Sequence, residues 1–124
     1  MSLQAAYFIR ENTTADGKEV KILLTRGLFF EISPVVVNRM VKTALQKLVG
    51  KVSWVVFSPE AKKCYLDDEG RTCIFPMSWM IKNYNKKVYA ILDDYGSVEA
   101  LQESAGDRNI TTQFVLTLLF ASEY

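Results

Sequence analysis

The chain has 124 residues, 49% hydrophobic and 23% charged, with a formal net charge of +1. That is enough for one domain with a real core. The balance is ordinary globular material rather than a disordered or strongly nucleic-acid-like composition. Histidine is absent, which excludes Ser–His and Cys–His nucleophilic chemistry, histidine metal sites and an imidazole pH switch.

Charge is uneven along the chain. Residues 1–63 hold ten Lys/Arg against five Asp/Glu, and residues 64–124 hold five against nine. The start, MSLQAAYFIR, lacks a basic segment followed by an apolar core, so no signal peptide is expected. The longest apolar run, Phe114 to Ala121, is far too short to span a membrane. The expected setting is the cytoplasm. Two cysteines are too few for a secreted disulfide scaffold.

Ala5–Glu11 and Lys18–Thr25 alternate as strands do, and Asp16-Gly17 between them is a two-residue hairpin signal. That turn would set Ile9 opposite Leu24, and would put Tyr7, Ile9, Val20, Ile22 and Leu24 on the core face. Gly27 then marks a bulge or kink before a further apolar strand, Leu28–Ile32.

Ser33–Gly50 is the clearest helix. Ser33 suits the N-cap, Pro34 the first helical position and Gly50 the C′ position. Val37, Met40, Val41, Ala44, Leu45 and Leu48 fall on one face. Arg39, Lys42 and Lys47, with Lys51 just beyond, form a basic stripe that no acid interrupts.

Val52–Ser58 is apolar on both faces and reads as a central strand. Lys63–Leu66 and Arg71–Phe75 make a second hairpin about Asp67–Gly70. A four-residue loop would set Cys64 directly opposite Cys73; a three-residue loop with Gly70 as a bulge would stagger them. Either way the pair is expected as neighbouring, reduced, structural thiols.

Residues 77–95 allow two readings. Met77, Met80, Ile81, Tyr84, Val88, Ile91, Leu92 and Tyr95 fit one helical face, which favours a long helix. Asn83 and Asn85 are weak helix formers, and Asp93 and Asp94 would oppose the helix dipole. Those residues argue for a short helix to Tyr84, a turn, and a strand Val88–Leu92. Ser97 then caps a short helix, Val98–Ala105, stopped by Gly106. Ile110–Ala121 is a long apolar strand placed inside the sheet. The order predicts a single α+β domain, with a largely antiparallel sheet of about six or seven strands and two main helices packed mainly on one face.

No phosphate-binding glycine loop, zinc motif or nucleophile elbow is present. Asp67-Asp68-Glu69 reads as a soluble hairpin tip, so no metal or cofactor is expected. Trp54, Trp79, Tyr65, Tyr84, Tyr89 and Tyr95 could stack bases, but such residues more often serve as core or interface anchors. The long-helix reading turns Trp79 and Tyr89 outward. The expectation is therefore a non-enzymatic protein-binding module of inhibitor, immunity or assembly-subunit type. Its contact residues would be Trp79, Tyr89, Lys82, Lys86, Asp93 and Asp94. The alternative is a nucleic-acid binder that holds phosphates with Arg39, Lys42, Lys47 and Lys51.

Overall fold

A computed structural model describes residues 12–124 and the backbone of residues 3–5. Its strands are β1 (Leu3–Ala5), β2 (Val20–Thr25), β3 (Trp54–Ser58), β4 (Tyr65–Leu66), β5 (Thr72–Pro76), β6 (Val88–Asp94) and β7 (Phe114–Phe120). They form one seven-stranded sheet in the order β1-β2-β7-β6-β3-β5-β4. Four neighbouring pairs are antiparallel, and two, β2/β7 and β3/β5, are parallel. The helices are α1 (Arg26–Glu31), α2 (Pro34–Lys47) and α3 (Val98–Ala105). The result is an α+β domain with a mixed, mostly antiparallel sheet, as the pattern predicts.

Helix α2 follows its sequence signals closely. The Ser33 hydroxyl accepts from the Val36 N–H, Pro34 opens the helix, and Val37, Met40, Val41, Ala44 and Leu45 are buried. These side chains and Leu28 of α1 pack on the sheet face made by Val20, Ile22, Leu24, Val55, Phe57, Phe75, Val88, Ala90, Leu116 and Leu118. The β2–α1–α2–β3 connection thus carries its helices across β7 and β6 on that face. Helix α3 sits on the other face, where Leu101 packs with Ile110, Val115 and Leu23.

Three expectations need correction. Leu28–Ile32 is not a strand: residues 26–31 form α1, capped by Thr25, whose hydroxyl accepts from the Leu28 N–H. The long helix over 77–95 does not form either. A 3₁₀ turn, Met77–Trp79, is followed by irregular chain in which Asn83 takes φ 58°, and then by strand β6. Of the rival reading the strand forms, over Val88–Asp94, whereas the helical turn ends at Trp79 and does not reach Tyr84. Finally, Leu24 pairs with Gln4 of β1, so the register with Ile9 opposite Leu24 is not formed. Tyr7, Ile9 and Arg10 lie outside the described residues.

The Asp16-Gly17 turn does form, with Gly17 at φ 92° and an isolated bridge between Thr13 and Glu19. It docks on the end of α2: the Ala15 N–H donates to the Leu45 carbonyl, and the Gly50 N–H donates to Asp16 Oδ2. In the second hairpin Leu66 pairs with Cys73 and Tyr65 with Ile74, so Cys64 is not directly opposite Cys73. Strands β3 and β7 both lie inside the sheet, as their two apolar faces require.

Candidate functional site

Alternation along a strand sends Trp54, Val56 and Ser58 of β3 to the face away from α2, together with Tyr89, Ile91 and Asp93 of β6 and Thr117 and Leu119 of β7. The register makes rows of these residues. Leu119, Tyr89, Val56, Ile74 and Tyr65 run across five strands, and Thr117, Ile91, Trp54 and Thr72 run beside them. Helix α3 covers only the β2/β7 end, through Leu23 and Val115. Over β6, β3 and β5, among the described residues, no helix covers this face.

An aromatic cluster stands there instead. The rings of Trp54 and Tyr89 lie 5.1 Å apart, and Tyr124 meets them at 5.1 and 5.9 Å in edge-on geometry. Beneath and beside these rings Val56, Ile91 and Leu119 are buried, Leu119 to 2% exposure. Tyr124 remains 76% exposed, carried to the cluster by the 3₁₀ turn Ala121–Glu123 after β7. The cluster is an apolar layer with its outer edges in water, which suits large amphipathic rings.

The perimeter is charged with both signs. The Ser58 hydroxyl donates to Glu60 at 2.8 Å, which holds the Glu60 carboxyl below its ordinary range. Lys87 lies close enough to add to that effect. At the far end of β6, partial burial raises the Asp93 carboxyl. Asp93 borders a hollow of about 250 Å³ under α3 that Lys21 and Tyr95 also line. Asp94 points away from that hollow, accepting from the Gln113 side chain and the Gly96 N–H.

The six residues expected to form one contact surface are not brought together. Tyr89 belongs to the aromatic sheet face. Trp79 is exposed, but it packs edge-on against Phe75, on the side of α2. Its carbonyl accepts from Arg39 Nη2 at 3.1 Å. Lys86 pairs with Glu31 at 2.5 Å and lies over the Phe120 ring. The Tyr84 hydroxyl donates to the same carboxylate, and burial together with that bond raises the Tyr84 phenol. Lys82 is exposed on the turn between Trp79 and β6.

The basic stripe is also divided. Arg39 and Lys42 are exposed, whereas Lys47 is half-buried beside Cys64 and Cys73. Lys51 lies over Gly70 at the hairpin tip. In the sequence Trp54 is one of several aromatics, and Tyr124 is not among the residues that stand out as contact candidates. Trp54 has no cue beyond its place in VSWVVFS, a run apolar on both faces, and nothing local marks Tyr124.

Among the described residues no group of three Cys, Asp or Glu side chains is placed to hold a metal ion, and no helix is long and apolar enough to cross a membrane. No family model, curated protein or solved structure matches this chain.

Proposed function

We propose that this chain is a non-enzymatic binding module that docks another protein on the sheet face carrying Trp54, Tyr89 and Tyr124. The observation behind this reading is the three-ring cluster on a part of the sheet that α1, α2 and α3 leave open. Tyr and Trp held on rigid strands lose little side-chain entropy on contact and are the commonest interface anchors. The mixed charges of Glu60, Lys87 and Asp93 at the border can steer and orient a partner without dominating affinity. Single-stranded nucleic acid also stacks on aromatic sheet faces. Such surfaces are basic, however, and Glu60 and Asp93 stand at this border, so a protein partner is favoured.

The test is affinity capture from the native host with wild-type protein and with a Tyr89→Ala/Tyr124→Ala variant of equal thermal midpoint. A defined protein, retained after nuclease treatment by the wild type and lost by the variant, is the expected result. Each ring should then contribute about 2 kcal/mol or more to the measured affinity. Retention of the same protein by the variant refutes the assignment of the surface. A nuclease-sensitive partner supports the nucleic-acid alternative, and Trp79, Lys82, Arg39 and Lys42 would then be the next residues to change.

A further inference from the structure

The chain's two cysteines converge behind the edge of the sheet. Cys64 lies just before β4 and Cys73 on β5, with their Sγ atoms 3.4 Å apart and both thiols free. Their surroundings differ. Cys73 is buried, whereas Cys64 is half-buried. Both border an open hollow of about 400 Å³ between the end of α2 and the hairpin, with Gln46, Lys47, Tyr65 and Leu66 also at its wall. One thiol is within reach of a small molecule and the other waits behind it.

We propose that Cys64 and Cys73 are a thiol–disulfide exchange site for a low-molecular-weight disulfide, with Cys64 attacking and Cys73 resolving. In the first step the Cys64 thiol gives up its proton and its sulfur attacks one sulfur of the incoming disulfide. That S–S bond breaks, one half leaves as a thiolate and takes up a proton, and the other half stays on Cys64 as a mixed disulfide. In the second step Cys73 loses its proton and attacks the Cys64 sulfur, and the second half leaves as a thiol. The two protein thiols lose two electrons and two protons, and the small disulfide gains both to become two thiols.

The order follows from access and ionisation, since only an accessible thiolate attacks. Burial pushes the Cys73 thiol up to about 12; the Cys64 thiol reinforces this through its hydrogen bond and charge, while Lys47 opposes it. Closure brings the sulfurs from 3.4 Å to a bond of about 2.05 Å. Cys64 precedes the two-residue strand β4, so it can make that approach without breaking the ladder. Lys47 at the wall suits a disulfide that carries carboxylates, such as oxidised glutathione.

The experiment exposes the native, reduced full chain to oxidised glutathione, quenches with acid and maps the peptides. Both thiols should disappear together, with an intact mass lower by about 2 Da, a peptide linking Cys64 to Cys73, and full reversal by dithiothreitol. Cys73→Ala should stop at a glutathione adduct on Cys64. Because that substitution empties a buried position, the untouched wild type is also labelled with limiting iodoacetamide, where Cys64 should react at least roughly tenfold faster than Cys73. Three results would each overturn the proposal: equal labelling rates, a wild type that halts at the mixed disulfide, or no thiol loss in the native chain under conditions that oxidise the denatured one.

Discussion

Replacing Thr25 by valine keeps the side-chain shape and deletes one hydroxyl, at the point where β2, α1 and the chain end meet. Thr25 is fully buried, at 0% exposure. Its Oγ1 accepts from the Leu28 N–H at 3.4 Å, capping α1, and donates to Glu123 Oε1 at 2.7 Å. The cap is a long hydrogen bond, so its loss belongs near the low end of about 0.5–2 kcal/mol. The bond to the carboxylate is short and charge-assisted, so its removal costs about 1.5–3 kcal/mol. Glu123 keeps the Phe120 N–H at 2.9 Å and is partly exposed, which limits the penalty on its side. The net expectation is a loss of about 2–3 kcal/mol, read as a lower urea midpoint at unchanged m-value. A double-mutant cycle with Glu123→Ala should return a coupling of about 1 kcal/mol or more. A loss under about 0.5 kcal/mol for Thr25→Val, or strict additivity with Glu123→Ala, would refute the reasoning that this bond ties the C-terminal turn to α1.

Leu45→Ala should cost about 2–5 kcal/mol by leaving a cavity between α2 and the sheet, whereas Val35→Ala at the exposed start of α2 should stay within about 0.5 kcal/mol; urea unfolding distinguishes them. The Thr72 and Arg71 N–H groups, at 3.0 and 2.8 Å, hold the Asp67 carboxyl below its ordinary value of 3.8. A depressed folded value stabilises the protein above the unfolded value and loses that stabilisation as pH falls through the folded one. Asp67→Asn should therefore flatten the acid limb of the urea midpoint against pH below about 4, with little change in that slope near neutrality. Closing the Cys64–Cys73 bond constrains a loop of about ten residues and should raise stability by about 2.5–3 kcal/mol, measured by comparing oxidised and reduced protein in urea.

Helix α2 was legible because cap, proline and periodicity agreed; Gly50 takes a positive φ, but two residues past the C-cap Leu48 and not at the expected C′ position. Helix α1 was not, because Leu28, Phe29, Phe30 and Ile32 leave no polar face to reveal a helical period, and its cap, Thr25, is also the last residue of a strand. Strand β6 was obscured for a related reason. Both of its faces carry apolar residues, with Val88 and Ala90 under α2 and Tyr89 and Ile91 in the aromatic layer. Alternation therefore vanished, and a chance 3.6-residue period extended from Met77 to Tyr95. Asn83, Asn85, Asp93 and Asp94 were the better guides, and Asn83 does break the path with a positive φ. That error paired Trp79 with Tyr89, which the sheet separates onto opposite faces. Trp54 and Tyr89 come together only through the β3/β6 register, a long-range property that no window of the sequence contains.

The open aromatic face is a consequence of how the strands are connected. The parallel return from β2 to β3 must cross β7 and β6, and its helices α1 and α2 occupy one face in doing so. On the other face, α3 links β6 and β7, which are adjacent and antiparallel, so it needs to travel no distance and covers only the β2/β7 end of that face. The connection from β3 to β5 is spent on the edge hairpin, and that from β5 to β6 on the 3₁₀ turn and the irregular chain around Asn83. The middle of the second face therefore receives no helix among the described residues, yet its strands still present Val56, Ile91 and Leu119. Large rings on these strands and just beyond β7 shield those aliphatic groups from water instead. Trp54, Tyr89 and Tyr124 do this while keeping Tyr124 mostly in solvent. Shielding and the proposed partner recognition would thus draw on the same rings: a docking protein would meet a preformed apolar layer and need order little of the chain beneath it.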